Sequence, residues 1–545
     1  MKTSHVPPWI QLYPRSVASS NASLAPGADN LVAAWHKRVE ADKNNSALFY
    51  FDGKWSAGQL DEASDALAVA LTDLGVAKGS HVGIYLQNLP AYPVAMLALW
   101  KLGAVALILN PMYRGRELRH LVDDAQAVGI IHADTDGAAL ADTLSGSTVA
   151  WRISTAAADG QTRNDARVFA GQAHAEAGPD GDLWQLVARY RGRKPATVDL
   201  SADDVALLAY TSGTTGPPKG AMNTHDNVLS VVRNYAQWAD LGPTDVVLAM
   251  APLFHITGAV VNATVALLSG AALVMLGRFH PEVALEAFAA FGVTNTVGSI
   301  TAYNAMAQVP WASKEHFASA RVLFSGGAPI PPATIHAFEE RFGHYIHNAY
   351  GMTETTSAVI MVPPGVRAPV DESSGTLSIG IPLPGIDARV LDAGGHPVAA
   401  GMEGELELTG AAIVPGYWRN AEATAHTMPE GRLHTGDGAI MDAEGWVYLV
   451  DRIKDQINVS GYKVWPREVE DALYEHPAVL EAAVVGVTGV NQPDIAIFLF
   501  RLASLVGVAM IMYYVPKLAE MQGWDPARAQ WISAANPLFI ISFVA

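Results

Sequence analysis

Tyr210 to Gly220 reads YTSGTTGPPKG. These eleven residues hold four aliphatic hydroxyls (Thr211, Ser212, Thr214, Thr215), three glycines (Gly213, Gly216, Gly220) and one lysine, Lys219. Glycine leaves backbone N–H groups open to approach, the hydroxyls add donors, and the lysine adds a mobile cation. The oxygens of a polyphosphate need these groups. The order is not that of a Walker-type loop, where the lysine follows the last glycine and a helix starts at once. Here Lys219 stands between Pro218 and Gly220, and the prolines stiffen the exit. A Gly/Ser/Thr-rich surface loop is the bland alternative, and the length of the string argues against it.

Upstream, Val205 to Tyr210 reads as a buried strand that delivers the loop at its C-terminal end, the edge where ligands of open α/β sheets bind. Before it, strand and helix patterns alternate. Helices are expected over 31–40, 60–74, 92–102 and 116–127, strands over 81–86, 105–109 and 129–132, and a hairpin start at 47–53. Such alternation implies a parallel sheet with crossover helices. Residues 156–200 are polar, lack apolar period outside 183–190, and read as a loosely ordered surface connection.

Downstream, APLFHITG (251–258) sets His255 between an expected strand and an apolar helix-like run, at the same sheet edge. A lone histidine there is more often a core or capping residue. Strands expected at 293–297 and 321–324 end in Gly298-Ser299 and Ser325-Gly326-Gly327-Ala328, where glycines permit close approach of a flat ligand. NAYGMTET (348–355) gathers Asn348, Tyr350, Gly351, Thr353 and Glu354 on one expected loop. An aromatic can stack on adenine, a hydroxyl can donate to a phosphate, and a carboxylate can hold Mg²⁺. The plain reading is a turn with a capping Thr and Glu. GELELTG (404–410) alternates like a strand, HTGDG (434–438) follows, and DRIKDQINVSGYKVWPREVE fills 451–470.

In this order the motifs resemble the adenylate-forming superfamily: acyl-CoA synthetases, firefly-type luciferases and amino-acid adenylation domains. The resemblance runs over roughly residues 30 to 494. It implies an α/β protein with a large adenylation domain (1–453) of two α/β subdomains and a distorted β-barrel, then a small α+β domain starting at 454. It implies ATP, Mg²⁺ and coenzyme A as cofactors and a small carboxylic acid, fatty or aryl, as substrate. By the same resemblance Thr211, Ser212, Gly213, Thr214, Thr215, Gly216 and Lys219 clamp phosphates. Gly326, Gly327, Ala328, Asn348, Tyr350 and Gly351 line the nucleotide, with Tyr350 on adenine. Thr353 and Glu354 hold the α-phosphate and Mg²⁺, and His255 faces the acyl carboxylate. Asp437 and Arg452 hold the ribose, since paired carboxylate oxygens suit a vicinal diol. Lys454 falls in the hinge region, and Gly461 and Lys463 approach the thiol tunnel. Taken alone, the TGD of 435–437 is a common Asp-Gly turn.

The totals agree. A net charge of −18 over 545 residues argues against nucleic acid as a partner and against anionic lipid surfaces. With no cysteine, disulfides, thiolate metal sites and a cysteine nucleophile are excluded, so a thioester made here forms on a diffusible thiol. The first sixteen residues lack a signal-peptide core, so a cytoplasmic location is expected.

After Asp494 the resemblance stops, and the lysine on a Gly-Lys loop that the family places near its end has no match. Ile495 to Val515 instead gives twenty-one residues with one charge, Arg501, long enough as a helix to span a hydrocarbon core of about 30 Å. Trp531 to Ala545 begins another apolar run. The expectation is a truncated small domain (454–494) and a hydrophobic helical tail (495–545) in contact with a membrane. Such a chain is an acyl-CoA synthetase impaired in adenylation, or alternatively a membrane-tethered nucleotide-binding remnant or a chimera.

Overall fold

The strands His81–Tyr85 and Val105–Ile108 are buried along their whole length. A sheet covered on both faces permits that, as crossover helices provide for parallel strands. The computed structural model describes residues 7–18, 28–170, 179–211, 217–328, 330–371 and 375–452, with side chains through Val450, and the backbone of four later strands, Ile457–Val459, Tyr462–Val464, Val479–Thr488 and Pro493–Leu502.

Among the described residues, a six-stranded sheet runs in the order Trp151–Thr155, Gly129–Ala133, His81–Tyr85, Val105–Ile108, Val205–Tyr210, Gly220–Thr224. All neighbours are parallel except the last pair. The segment between Tyr210 and Gly220 therefore joins antiparallel neighbours. It is the tip of a hairpin, not a strand-to-helix turn, and the Thr211 N–H closes it by donating to Lys219 O at 2.9 Å.

A nine-stranded sheet takes the order Ile381–Pro382, Ser357–Met361, Ile346–Met352, Val322–Ser325, Asn295–Gly298, Val246–Leu248, Ala272–Met275, Ser46–Tyr50, Gly53–Ser56. It is parallel from Ile346–Met352 through Ser46–Tyr50 and antiparallel at both edges. A four-stranded antiparallel sheet, Ile386–Leu391, Glu403–Gly410, Leu433–Met441 and Val447–Arg452, takes the place of the expected barrel.

The expected helices form at Leu31–Ala41, Ala57–Asp73, Ala91–Lys101 and Gly115–Asp124. Ser56 and Gln59 start the second with a reciprocal capping box. Arg38 crosses from the first helix to donate to the carbonyls of Ala266 (2.9 Å), Gly270 (3.1 Å) and Ala271 (3.0 Å), groups that the end of Val265–Ser269 leaves without helical partners.

Three expectations are corrected. The segment after residue 156 is anchored, not loose. Tyr50 Oη donates to Ala157 O (2.7 Å), Asp52 accepts from the N–H groups of Thr162 (2.8 Å) and Arg163 (3.1 Å), and Arg167 pairs with Glu286 at 2.6 Å. Polar bonds order it, and an apolar-period test does not detect those. Asn348 to Met352 extends a strand instead of lying in a loop. The run from Ile495 begins as a strand, since Pro493–Leu502 pairs antiparallel with Val479–Thr488. Isoleucine and phenylalanine crowd its first half and favour a pleated strand, which apolar length alone does not separate from a helix. Among the described residues no helix is long and apolar enough to cross a membrane. The expected run beyond Leu502, the helix start at 469–473 and Trp531 to Ala545 lie outside the described residues.

Two buried histidines tie these layers together. His225 Nδ1 accepts the Leu31 N–H (3.3 Å), and His347 Nε2 accepts the Gly365 N–H (3.3 Å). Burial holds both imidazoles down at about 4. Protonation removes each accepting lone pair. The unfolded chain, with ordinary imidazoles near 6.5, binds more protons between these values, so stability falls as pH drops from about 6.5 to about 4. The loss is roughly 3 kcal/mol per histidine at most. Denaturant midpoints across this range are expected to fall in wild type and to fall less in His225→Gln; parallel slopes would refute the assignment.

Candidate functional site

The C-terminal ends of the parallel strands in the nine-stranded sheet bring the motifs together. Gly298, Ser325 and Asn348 stand side by side in register. Gly326 continues this row, its N–H donating to Gly298 O at 3.3 Å. A Cβ on Gly326 would lie 2.5 Å from Ala349 O, so only glycine lets the SGGA turn, with Gly327 and Ala328 exposed at its tip, lie against the strand carrying Tyr350. Gly351 is tighter, since a Cβ would lie 1.8 Å from Ser357 O. The chain then turns through Thr353–Thr355 and leaves by two residues at positive φ, Thr356 (55°) and Ser357 (102°). A β-branched residue in that region is strained, and such strain concentrates at functional sites. Thr356 is held by donating its Oγ1 to Ala412 O at 2.9 Å.

Tyr350 and Asp437 meet directly, the phenol donating to Oδ2 at 2.6 Å. Asp437 is buried on Leu433–Met441, opposite Arg452 in the antiparallel register. Its N–H donates to Thr435 Oγ1 (3.1 Å), which in turn donates to Leu406 O (2.7 Å). The TGD turn is thus locked to the neighbouring strand. Asn348 is buried, and its amide donates to Ser378 O (3.1 Å), which fixes the strand beneath Tyr350.

Glu354 is 7% exposed and accepts from Tyr417 Oη at 2.6 Å. Lys219 Nζ lies 4.9 Å from the centroid of the same Tyr417 ring. Lys219 and the TET carboxylate thus share one aromatic, a residue outside the motifs. Burial first, and Glu354 second, push the Tyr417 phenol well above its ordinary range. Backbone pairing places the ring: Met222 N–H donates to Gly416 O (3.1 Å) and Trp418 N–H to Gly220 O (2.7 Å).

His255 sits in a turn after the strand Val246–Leu248. The residue is exposed, and desolvation lowers the pKa of its imidazole. Thr257 beside it receives the Ser357 hydroxyl at 3.5 Å, so the histidine turn lies next to the TET turn. Gly258–Thr264 winds as a π-helix, with Thr264 Oγ1 donating back five residues to Ala259 O at 2.7 Å. Asn262 in this helix donates to Val297 O (3.1 Å) and accepts Val297 N–H (3.3 Å).

Asn88 was also missed. Its buried amide donates to Ala249 O (2.9 Å) and Ala251 O (3.2 Å) and accepts Leu253 N–H (2.8 Å), clamping the approach to His255 from the other α/β sheet's subdomain. Tyr92 Oη adds a bond to Leu253 O (2.8 Å). The only signal in the sequence was an asparagine three residues beyond a buried strand.

Thr211 and Lys219 are described at the hairpin ends. Ser212, Gly213, Thr214, Thr215, Gly216, Lys454 and Gly461 lie outside the described residues, and Arg452 and Lys463 are described as backbone only. Among the described residues no three His, Cys, Asp or Glu form a metal cage. Glu354 as a single carboxylate still suits Mg²⁺, which keeps several waters and is bound through one or two carboxylates plus substrate phosphates.

Residues 35–418 match the family model described as AMP-binding enzyme, and residues 476–545 match a second, described as alpha-(1->6)-mannopyranosyltransferase, N-terminal domain. A feruloyl-CoA synthase of Amycolatopsis sp is 34% identical, covering 83% of this chain and 84% of its own. A long-chain-fatty-acid–CoA ligase of Salmonella typhi is 30% identical over 94% of each chain. Among solved structures, ATP-bound MatB from Rhodopseudomonas palustris superposes with a TM-score of 0.78 at 28% identity, covering 91% of this chain and 92% of that one.

Asn88→Ala leaves two carbonyls and one N–H of the His255 approach without partners. Amide exchange at Leu253 is expected to speed by about 10²-fold, since a buried group left unpaired costs roughly 1–3 kcal/mol. Unchanged protection there would show that the clamp is dispensable.

Proposed function

The chain belongs to the AMP-binding enzyme family, and on that premise we propose that it is an acid–thiol ligase that activates a small carboxylic acid with ATP and passes the acyl group to coenzyme A. In the first step a carboxylate oxygen attacks the α-phosphorus of ATP. The bond from that phosphorus to the bridging oxygen breaks, pyrophosphate departs with the electron pair, and an acyl-adenylate remains. In the second, the thiol sulfur attacks the acyl carbon, loses its proton, and AMP leaves. AMP is a far better leaving group than oxide, which is why the acid is adenylated first.

The observation that carries this reading is that Tyr350–Asp437 and Lys219–Tyr417–Glu354 meet around the short segment Tyr350 to Glu354, from three different sheets. Tyr350 stacks on adenine while its hydroxyl keeps Asp437 aimed at the ribose, with Arg452 opposite. Thr211 through Lys219 clamp the outer phosphates, and Thr353 donates to the α-phosphate. His255 lines the cleft beside the acid. Glu354 holds Mg²⁺, which supplies charge neutralisation when bound. Catalysis is then alignment and electrostatics, with little covalent work for the protein. The acid is fatty or aryl, in keeping with the apolar surroundings of His255 and with both kinds of relative.

A second reading concerns the C-terminal part. We read residues 454–494 as the start of a small domain that hinges near Lys454 and brings Gly461 and Lys463 to the thiol. The match of residues 476–545 to the mannopyranosyltransferase model, and a lysine only at Lys517 beyond residue 494, favour a stretch of foreign origin that adenylates slowly. Sequencing the gene across codons 480–545 with intact protein mass decides this. A Gly-Lys loop in place of the apolar run would discard the second reading.

The test of the main reading is acid-dependent exchange of labelled pyrophosphate into ATP with a panel of fatty and aryl acids. Exchange is expected, and Glu354→Gln is expected to lower it by about 10²–10³. ATP binding with no AMP formed from any acid would favour the non-catalytic remnant instead.

A further inference from the structure

We infer that Tyr417 is a positioning residue that sets both the Glu354 carboxylate and the Lys219 ammonium toward the nucleotide's phosphates. The inference rests on the ATP-binding reading above and adds a residue outside the motifs that suggested it.

The ring is 3% exposed and cannot swing freely. Ala221 pairs with it as an antiparallel bridge, and its own N–H donates to Thr424 Oγ1 at 3.0 Å. From this fixed point it does two separate things. Its hydroxyl occupies one oxygen of Glu354 at 2.6 Å, restraining rotation of the carboxylate and leaving the other oxygen for a cation. Its face receives Lys219 Nζ at 4.9 Å from the centroid. Among the described residues no ion pair neutralises Lys219, so the π-face is its resting partner. A cation held this way is available for a phosphate, because a quadrupole competes weakly with a full negative charge.

The plain alternative is a core tyrosine whose hydroxyl finds the nearest acceptor. The two accounts differ because the hydroxyl and the ring act on different partners. Calorimetric titration of wild type, Tyr417→Phe and Tyr417→Leu with ATP, with and without Mg²⁺, separates them. Tyr417→Phe keeps the ring and loses the hydroxyl. It is expected to bind Mg²⁺-free ATP within about twofold of wild type, while losing about tenfold of the affinity gained on adding Mg²⁺. Tyr417→Leu is expected to lose about fivefold for Mg²⁺-free ATP as well. An unchanged Mg²⁺ gain in Tyr417→Phe overturns the inference, and that variant alone decides if Tyr417→Leu fails to fold. Wild type that binds no ATP under either condition overturns the nucleotide reading itself, which is a different result.

Discussion

The stretch Ala411–Trp418 is where this molecule is sewn together. It forms no regular element, yet neighbours hold it from every side by backbone bonds. Asn227, capping the helix His225–Trp238, donates to Ala411 O (2.8 Å) and Ile413 O (3.1 Å). Thr356 donates to Ala412 O, Val414 N–H donates to Glu354 O (3.0 Å), and the hairpin strand takes up Gly416 and Trp418. Each bond is modest alone, about 0.5–1.5 kcal/mol net. Together they fix the phosphate hairpin, the TET turn and the antiparallel sheet in one frame. Glu354 and Lys219 are far apart in sequence, and this stretch bonds to the backbone beside each of them.

Polar groups also set the other joints. Asn88 crosses between sheet subdomains, Asn262 clips a helix to Val297, and Arg38 caps a helix end with its guanidinium. Apolar packing supplies most of the driving force for such a core, but it is not directional. Side-chain amides that satisfy backbone groups in pairs are directional, and each leaves an expensive orphan if its neighbour shifts. That is how directional bonds fix the joints of a core whose apolar packing is not directional.

The division into strands and helices was legible because burial on two faces leaves continuous apolar runs, as at 81–85 and 105–108. The candidate site was legible as far as residue chemistry is local: Tyr350, Glu354, Asp437 and Lys219 each announce a possible contact. The hairpin nature of the phosphate loop was not, since strand direction is a property of pairing. Tyr417 and Asn88 were silent because their roles depend on which backbone atoms the fold brings to them. The segment after residue 156 was misread because hydrogen bonds to Asp52 and ion pairs to Glu286 leave no period. The first part of the apolar run after Asp494 was misread because length decides membrane spanning only once the residues are known to be helical.

The π-helix at Gly258–Thr264 makes the count of residues there a structural quantity in its own right. A π-turn is an α-helix carrying one additional residue. Deleting a single residue within it would restore ordinary winding and rotate everything on one side against the other by about 100°. The turn that carries His255 would then be rotated against the rest of the helix, and Asn262 would miss Val297. The length of this stretch therefore matters as well as its chemistry: an insertion or deletion changes how the histidine turn is presented, even where every side-chain bond could still be made.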